Sequence, residues 1–334
     1  MSSSTSSSDA PWRGFVRTGL VAAGAILSAF LLLAVLLDPY DTGRSPLALK
    51  EGVRPQGPRT AAASRGRDPD FTGAIFGNSH IQLVSPENLL ARTGIPFVSL
   101  IAPATGPRET FTLLDWWLRH RIEPARAIVI GIDQRWCVAD PALPSEKPFP
   151  YWLFARNGIE YLGGLIRFDV VEELQRRLVY LTRPKAERAR PDGYWDYEDG
   201  YIVQGFDTDA ARRARLAAPA ELSGTNTDGP FPAVEQLADL LARAARDVPV
   251  VLVRPPTYLS GLPIPGSRDA AADSACLGAV RTLVAGRPRT ALVDWKRDRP
   301  ENRDANLFFD HTHYRQPIAR QVEAEIADAL RDLR

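Results

Sequence analysis

The chain has 334 residues, with 41 Lys and Arg against 40 Asp and Glu, so its formal net charge is +1. A balance this near neutrality, with no basic stripe, argues against nucleic acid as a partner. The two cysteines, Cys137 and Cys276, form neither a CxxC nor a zinc-ligand pattern, and no repeat of 20–50 residues is present, which excludes a solenoid and a disulfide-dense scaffold.

Residues 1–14 form a polar tail rich in serine, and an apolar segment follows over 15–37. From Thr18 to Leu37 it carries no charge, and at about 1.5 Å per residue it matches the ~30 Å hydrocarbon core, so one transmembrane helix is expected. A cleaved signal peptide would have an apolar region of only ~7–15 residues followed by a small-x-small site, whereas this run ends in Asp38-Pro39-Tyr40-Asp41. Arg13 and Arg17 precede the helix and Arg44, Lys50 and Arg54 follow it, so charge alone does not orient it. The short tail suits the cytoplasm, which places the C-terminal domain in the periplasm of a single-pass inner-membrane protein.

Residues 38–70 are rich in Pro, Gly, Ala and Arg without sustained apolar periodicity, the composition of a juxtamembrane linker. Residues 71–334 alternate short β-type runs with helical patterns. Strands are expected at Ala74–Phe76, Phe97–Leu100, Ala127–Ile130, Val250–Val253 and Ala291–Val293. Helices are expected from Ser85-Pro86, over Arg108–His120, around Val234–Leu241, and behind Pro317, where Ile318, Val322, Ile326 and Leu330 recur every four residues. Such alternation predicts a flavodoxin-like three-layer α/β/α domain on a parallel sheet.

The stretch from about 134 to 229 is too long for an ordinary crossover and reads as an insertion after strand three. Its aromatic runs, PFPYWLFARNGIEYLGG and DGYWDYEDGYIVQGF, suit either a sugar-binding surface or, by preference, a subdomain packed on the sheet. The two cysteines could pair outside the cytosol or remain as buried thiols.

In an open α/β sheet, ligands bind beyond the carboxyl ends of the strands. Those positions hold Asn78-Ser79-His80, Thr105-Gly106, Asp133-Gln134, Arg254 and Asp310-His311-Thr312-His313. Nucleophilic acyl transfer needs a hydroxyl, an imidazole to take its proton, an acid to orient the ring, and donors for the oxyanion. Ser79, His313 and Asp310 supply the first three, and the N–H groups of Ser79 and Gly106 are candidate donors. His80 lines the pocket, and Arg254 binds either a substrate carboxylate or an acid in the core. Asp310, His311 and His313 could instead ligate a metal, but no further histidine cluster supports that reading, so neither metal nor cofactor is expected.

The order Gly-x-Ser, glycine loop, Gly-x-polar and Asp-x-x-His resembles the SGNH (GDSL-like) hydrolase superfamily. An N-terminal anchor in front of such a domain is similar to the alginate O-acetylation proteins and the D-alanyl transfer protein of teichoic acids. The resemblance implies Ser79 as nucleophile, His313 as base, Asp310 as its orienter and Gly106 as an oxyanion donor. It implies an acyl, by preference acetyl, transferase or esterase acting on a cell-envelope polysaccharide and served by a membrane-bound acyl-donor protein. Two positions depart from the family pattern: Asn78 stands where Asp is common, and Asp133 where an Asn donates to the oxyanion. An ionised carboxylate repels an oxyanion, and Gln134 is the neighbouring substitute. Loss of one donor costs about 2.7–4 kcal/mol of transition-state stabilisation, so the alternative is a non-catalytic envelope protein that binds glycan or scaffolds a synthesis complex.

Overall fold

The computed structural model describes residues 9–220 and 226–334. In chain order the elements are α1 (Asp9–Leu37), α2 (Pro58–Arg67), β1 (Gly73–Gly77), α3 (Pro86–Thr93), β2 (Phe97–Ile101), α4 (Pro107–Arg119), β3 (Ala127–Gly131) and α5 (Gly158–Leu165). They continue with α6 (Phe168–Thr182), α7 (Glu198–Val203), α8 (Ala210–Ala217), α9 (Pro232–Ala244), β4 (Val250–Arg254), α10 (Arg268–Gly286), β5 (Thr290–Asp294) and α11 (Gln316–Asp332).

All five expected strands form, and they pair in parallel in the order β2-β1-β3-β4-β5. The first four are buried along their whole length, as near-continuous apolar runs must be when both faces of a sheet are covered. Side chains alternate between two clusters: Phe76, Ile130 and Leu252 join the one containing α4, α9 and α10, and Ile75, Val129 and Val251 the one containing α3 and α11. The chain leaves β1 toward β2 and returns past it to β3, so the strand order reverses between β1 and β3, the place beyond whose carboxyl ends open α/β sheets bind ligands.

Helices α3, α4, α9 and α11 stand where periodicity and capping predict them. Ser85 caps α3 by accepting from Asn88 N, with Pro86 at the first helical position. The N-terminal helix is long and apolar enough to cross a membrane from Trp12 to Leu37.

The stretch 38–70 departs from the expected linker. It folds against the domain, contains α2, and buries Asp38, Tyr40, Asp41, Val53 and Ala61–Ala63. Polar contacts account for this. Asp38 closes the end of α1 by accepting from Thr42 N (2.9 Å) and Gly43 N (2.8 Å), and Asp41 accepts from Ser64 Oγ (2.7 Å) and Gly52 N (2.8 Å) and pairs with Arg67. Buried Arg177 donates to the carbonyls of Leu37 (3.2 Å), Gly52 and Lys50, so the last turn of α1 is joined to α6.

Between β3 and β4 the aromatic runs pack on the main domain. Phe154 and Tyr161 enter one cluster, and Tyr197, Tyr201 and Phe206 lie on the other. The cysteines are not free: Cys137, in the turn after β3, is bonded to Cys276 of α10.

Candidate active site at the carboxyl end of the sheet

Ser79 opens a 3-10 turn just beyond β1. Asn78 shapes the turn, its Oδ1 accepting from His80 N at 3.1 Å. Gly77 permits it, because its φ of +149° disfavours a side chain and an added Cβ would meet Ile81 at 3.1 Å. Ser79 is half-buried, and its amide donates to no acceptor among the described residues.

The loop before α11 brings the other two groups to this turn. His313 Nε2 lies 2.9 Å from Ser79 Oγ, and His313 Nδ1 lies 2.8 Å and 3.0 Å from the two Asp310 oxygens. Asp310 Oδ1 also accepts from Thr312 N and His313 N, each at 2.8 Å. Burial alone would raise the Asp310 carboxyl, but the His313 contact and these two amides hold it at about 2. An ionised carboxylate only accepts, so Nδ1 carries the ring proton and Nε2 is left to accept from the Ser79 hydroxyl. Hydroxyl, imidazole and carboxylate thus stand in the order that nucleophilic acyl transfer can use.

Asp133 lies 2.7 Å from Asn78 Nδ2, which also donates to Thr105 O at 3.1 Å. It pairs with Arg135 at 2.8 Å and stands 3.2 Å from His80 Nδ1. Burial opposes its ionisation, yet His80, Arg135 and Asn78 together hold it well below the usual carboxylate range. Asp133 therefore stays charged and cannot donate to an oxyanion. Arg135 in turn is held by Glu146 at 2.7 Å and 2.8 Å.

Two expected roles are corrected. The Gly106 N–H is engaged in the cap of α4, donating to Glu109 Oε2 at 2.8 Å, and Glu109 is itself buried and bonded to Ser145 and Tyr151. Gly106 is thus not a free oxyanion donor. Arg254 does not face the crevice as a substrate ligand: it is buried and grips both oxygens of Asp273 at 2.6 Å and 2.7 Å, with Asp294 at 3.1 Å. It is the acid-paired core arginine.

His80 stands beside the triad, its ring centroid 5.5 Å from that of His313, and the Gln134 side chain is exposed at the rim. His311 turns away, with Nε2 2.9 Å from Ala218 O, and no group of three or more metal-ligating side chains occurs among the described residues.

Sequence reasoning missed the wall around His313. Tyr197 and Tyr201 bring their rings to 5.4 Å and 5.2 Å from His313, and Phe309 stands behind Tyr201 at 5.0 Å. The Tyr197 hydroxyl donates to Tyr314 O at 2.8 Å, which locks the ring in place. The aromatic run marked these residues, but nothing in it marked their target. Three residues past Ser79, Gln82 borders a cavity of about 520 Å³ that is also lined by Ile101, Arg65, Tyr194 and the half-exposed Trp195. No family model matches the chain, and no curated protein matches its sequence.

Proposed function

We propose that this chain is a membrane-anchored, serine-dependent acyl transferase or esterase of SGNH-like type acting on a cell-envelope glycan. The observation that carries the proposal is the continuous relay from Ser79 Oγ through His313 to Asp310 at hydrogen-bonding distances. Within this reading the domain is a flavodoxin-like three-layer α/β/α fold, with 134–229 inserted after the third strand.

His313 Nε2 takes the Ser79 proton as the serine oxygen bonds to the acyl carbon, then returns it to the departing oxygen as the old acyl bond breaks. Water or a glycan hydroxyl, deprotonated by His313, attacks the acyl-enzyme and regenerates Ser79. Asp310 fixes the tautomer and balances the imidazolium. The Ser79 N–H serves the oxyanion.

The Cys137–Cys276 bond favours an oxidising compartment, which supports a periplasmic domain on an inner-membrane anchor. There an acyl donor reaches the pocket from a membrane-bound partner protein. Fluorophosphonate labelling tests the proposal: the wild-type chain is expected to label and Ser79→Ala not to. Equal labelling of the two would overturn it.

The ionised Asp133 and the engaged Gly106 amide favour a second reading, a non-catalytic glycan-binding or scaffolding protein that keeps the fold. It predicts saccharide binding that survives Ser79→Ala and His313→Ala, with no turnover of acetylated model esters.

A further inference from the structure

Helix α1 is apolar from Thr18 to Leu37, behind Arg13 and Arg17, and so crosses about 30 Å without surplus. At the C-terminal end of that stretch Phe30, Leu31, Ala34, Val35 and Leu37 pack on the domain while the turns before them stay exposed. The elements that receive them are α5 and α6. If α1 enters the hydrocarbon at its exposed turns, the α5–α6 corner stands at headgroup level beside it.

That corner is not built for water. In α5, Tyr161, Gly164 and Leu165 face the core. Ile159, Leu162 and Ile166, spaced three and four apart, form a second apolar stripe on the outer side, and the ridge continues into α6 with Phe168 and Val171. Ile159 and Phe168 are each 79% exposed and Ile166 is 53% exposed. A helix apolar on both faces at a surface marks an interaction site.

We propose that the α5–α6 ridge inserts into the lipid interface next to α1, so that the domain touches the same bilayer that its helix spans. The inference rests on reading α1 as a spanning helix. Continuity with α1 identifies lipid as the occupant, because α5 and α6, which carry the ridge on their outer side, share a cluster with the packed end of α1 through Tyr161, Leu165, Val170 and Leu174. Charge does not drive the contact: Arg156 and Arg167 flank the ridge, and so do Glu160 and Asp169. Buried apolar area supplies the affinity, and neutral lipid serves as well as anionic lipid. Because Arg177 and Asp38 fix the end of α1 to the domain, two contacts with one membrane set the tilt of the whole sheet and thus the height of the Ser79 crevice.

The experiment uses the full chain in phosphatidylcholine vesicles carrying a nitroxide high on the acyl chain. Its native cysteines are bonded to each other, so Phe168→Cys or Ile159→Cys gives one free thiol for a bimane label. Gln321→Cys, exposed on α11 behind the opposite face of the sheet, is the reference. The labels at 168 and 159 are expected to lose more than about half of their fluorescence, and the one at 321 very little. Quenching at 168 and 159 no greater than at 321, in a chain that resists carbonate extraction, overturns the ridge proposal. Release of the chain by carbonate overturns the spanning reading instead, and the ridge proposal falls with it.

Discussion

His313 Nε2 lies 2.9 Å from Ser79 Oγ although 234 positions separate the two residues. One belongs to the turn after the first strand and the other to the loop before the last helix. Their meeting requires the sheet to close β1 among its neighbours and α11 to pack back across it. Replacing Asp310 by Asn keeps the size of the side chain but lets its amide face Nδ1, which favours the wrong tautomer. The expected loss in fluorophosphonate labelling rate is on the order of 10³–10⁴-fold with an unchanged circular dichroism spectrum. Labelling by the Asp310→Asn chain at the wild-type rate would remove Asp310 from the relay.

Asp133 is the residue most at odds with ester chemistry, because a buried negative charge stands where a donor is wanted. Asp133→Asn keeps an acceptor for Arg135 and Asn78 and turns one oxygen into a donor. On p-nitrophenyl acetate, kcat is expected to rise by about 10²-fold with little change in KM. Arg135 and His80 lose their anionic partner, so stability falls by about 1–3 kcal/mol, measured by urea denaturation. An unchanged kcat would place Asp133 away from the developing charge.

Stability should depend on pH in two opposite ways. Asp310, held at about 2, and Asp133, held well below the usual range, both ionise more readily folded than at the unfolded value of about 3.9. Their contribution is complete above that value and is lost as pH falls through the folded values. Glu323, buried between α11 and α3, is pushed up to about 7 by burial, although Ser85 N at 2.7 Å and Arg320 favour its charge. The folded state holds that proton more tightly than the unfolded chain, whose value is about 4.3. Stability therefore falls as pH rises from about 4.3 to about 7, by an amount on the order of 3 kcal/mol. Glu323→Gln is expected to flatten the urea midpoint across this window, and a slope equal to that of the wild type would assign the effect to another group.

What sequence could announce depended on whether the signal was local. Val250–Val253 and Ala127–Ile130 are short β-branched runs whose burial on both faces leaves no other use for them. Helix α2 escaped notice because its buried positions, among them Ala61–Ala63, are small, and α10 because only Val280 and Leu283 of its buried stripe are large, behind Ala272 and Cys276. Neither shows a large apolar stripe along its whole length, which is what periodicity detects. The three triad residues were legible as types at strand ends. The state of Gly106 was not, since it depends on Glu109 closing a cap, and neither was that of Arg254, whose partners Asp273 and Asp294 lie on other elements. The buried stretch 38–70 was hidden for the same reason, because Asp41 and Arg177 meet only in the folded chain.

The Cys137–Cys276 bond offers a test of the compartment as well as of the fold. It spans 139 positions and joins the turn that carries Asp133 and Arg135 to α10. A cross-link closing so long a loop restricts the unfolded chain strongly, and removing a native one costs about 2–5 kcal/mol. Cys276→Ser should lower the unfolding free energy measured in urea by that amount, and dithiothreitol should do the same to the wild-type chain and nothing to the variant. The turn after β3 would also loosen, so Arg135 would hold Asp133 less firmly and labelling of Ser79 would slow before global unfolding. In cells, alkylation of free thiols under denaturing conditions should leave both cysteines unmodified until a reductant is added. Thiols that alkylate without reductant would place the domain on the reducing side of the membrane and remove the main physical support for a periplasmic site.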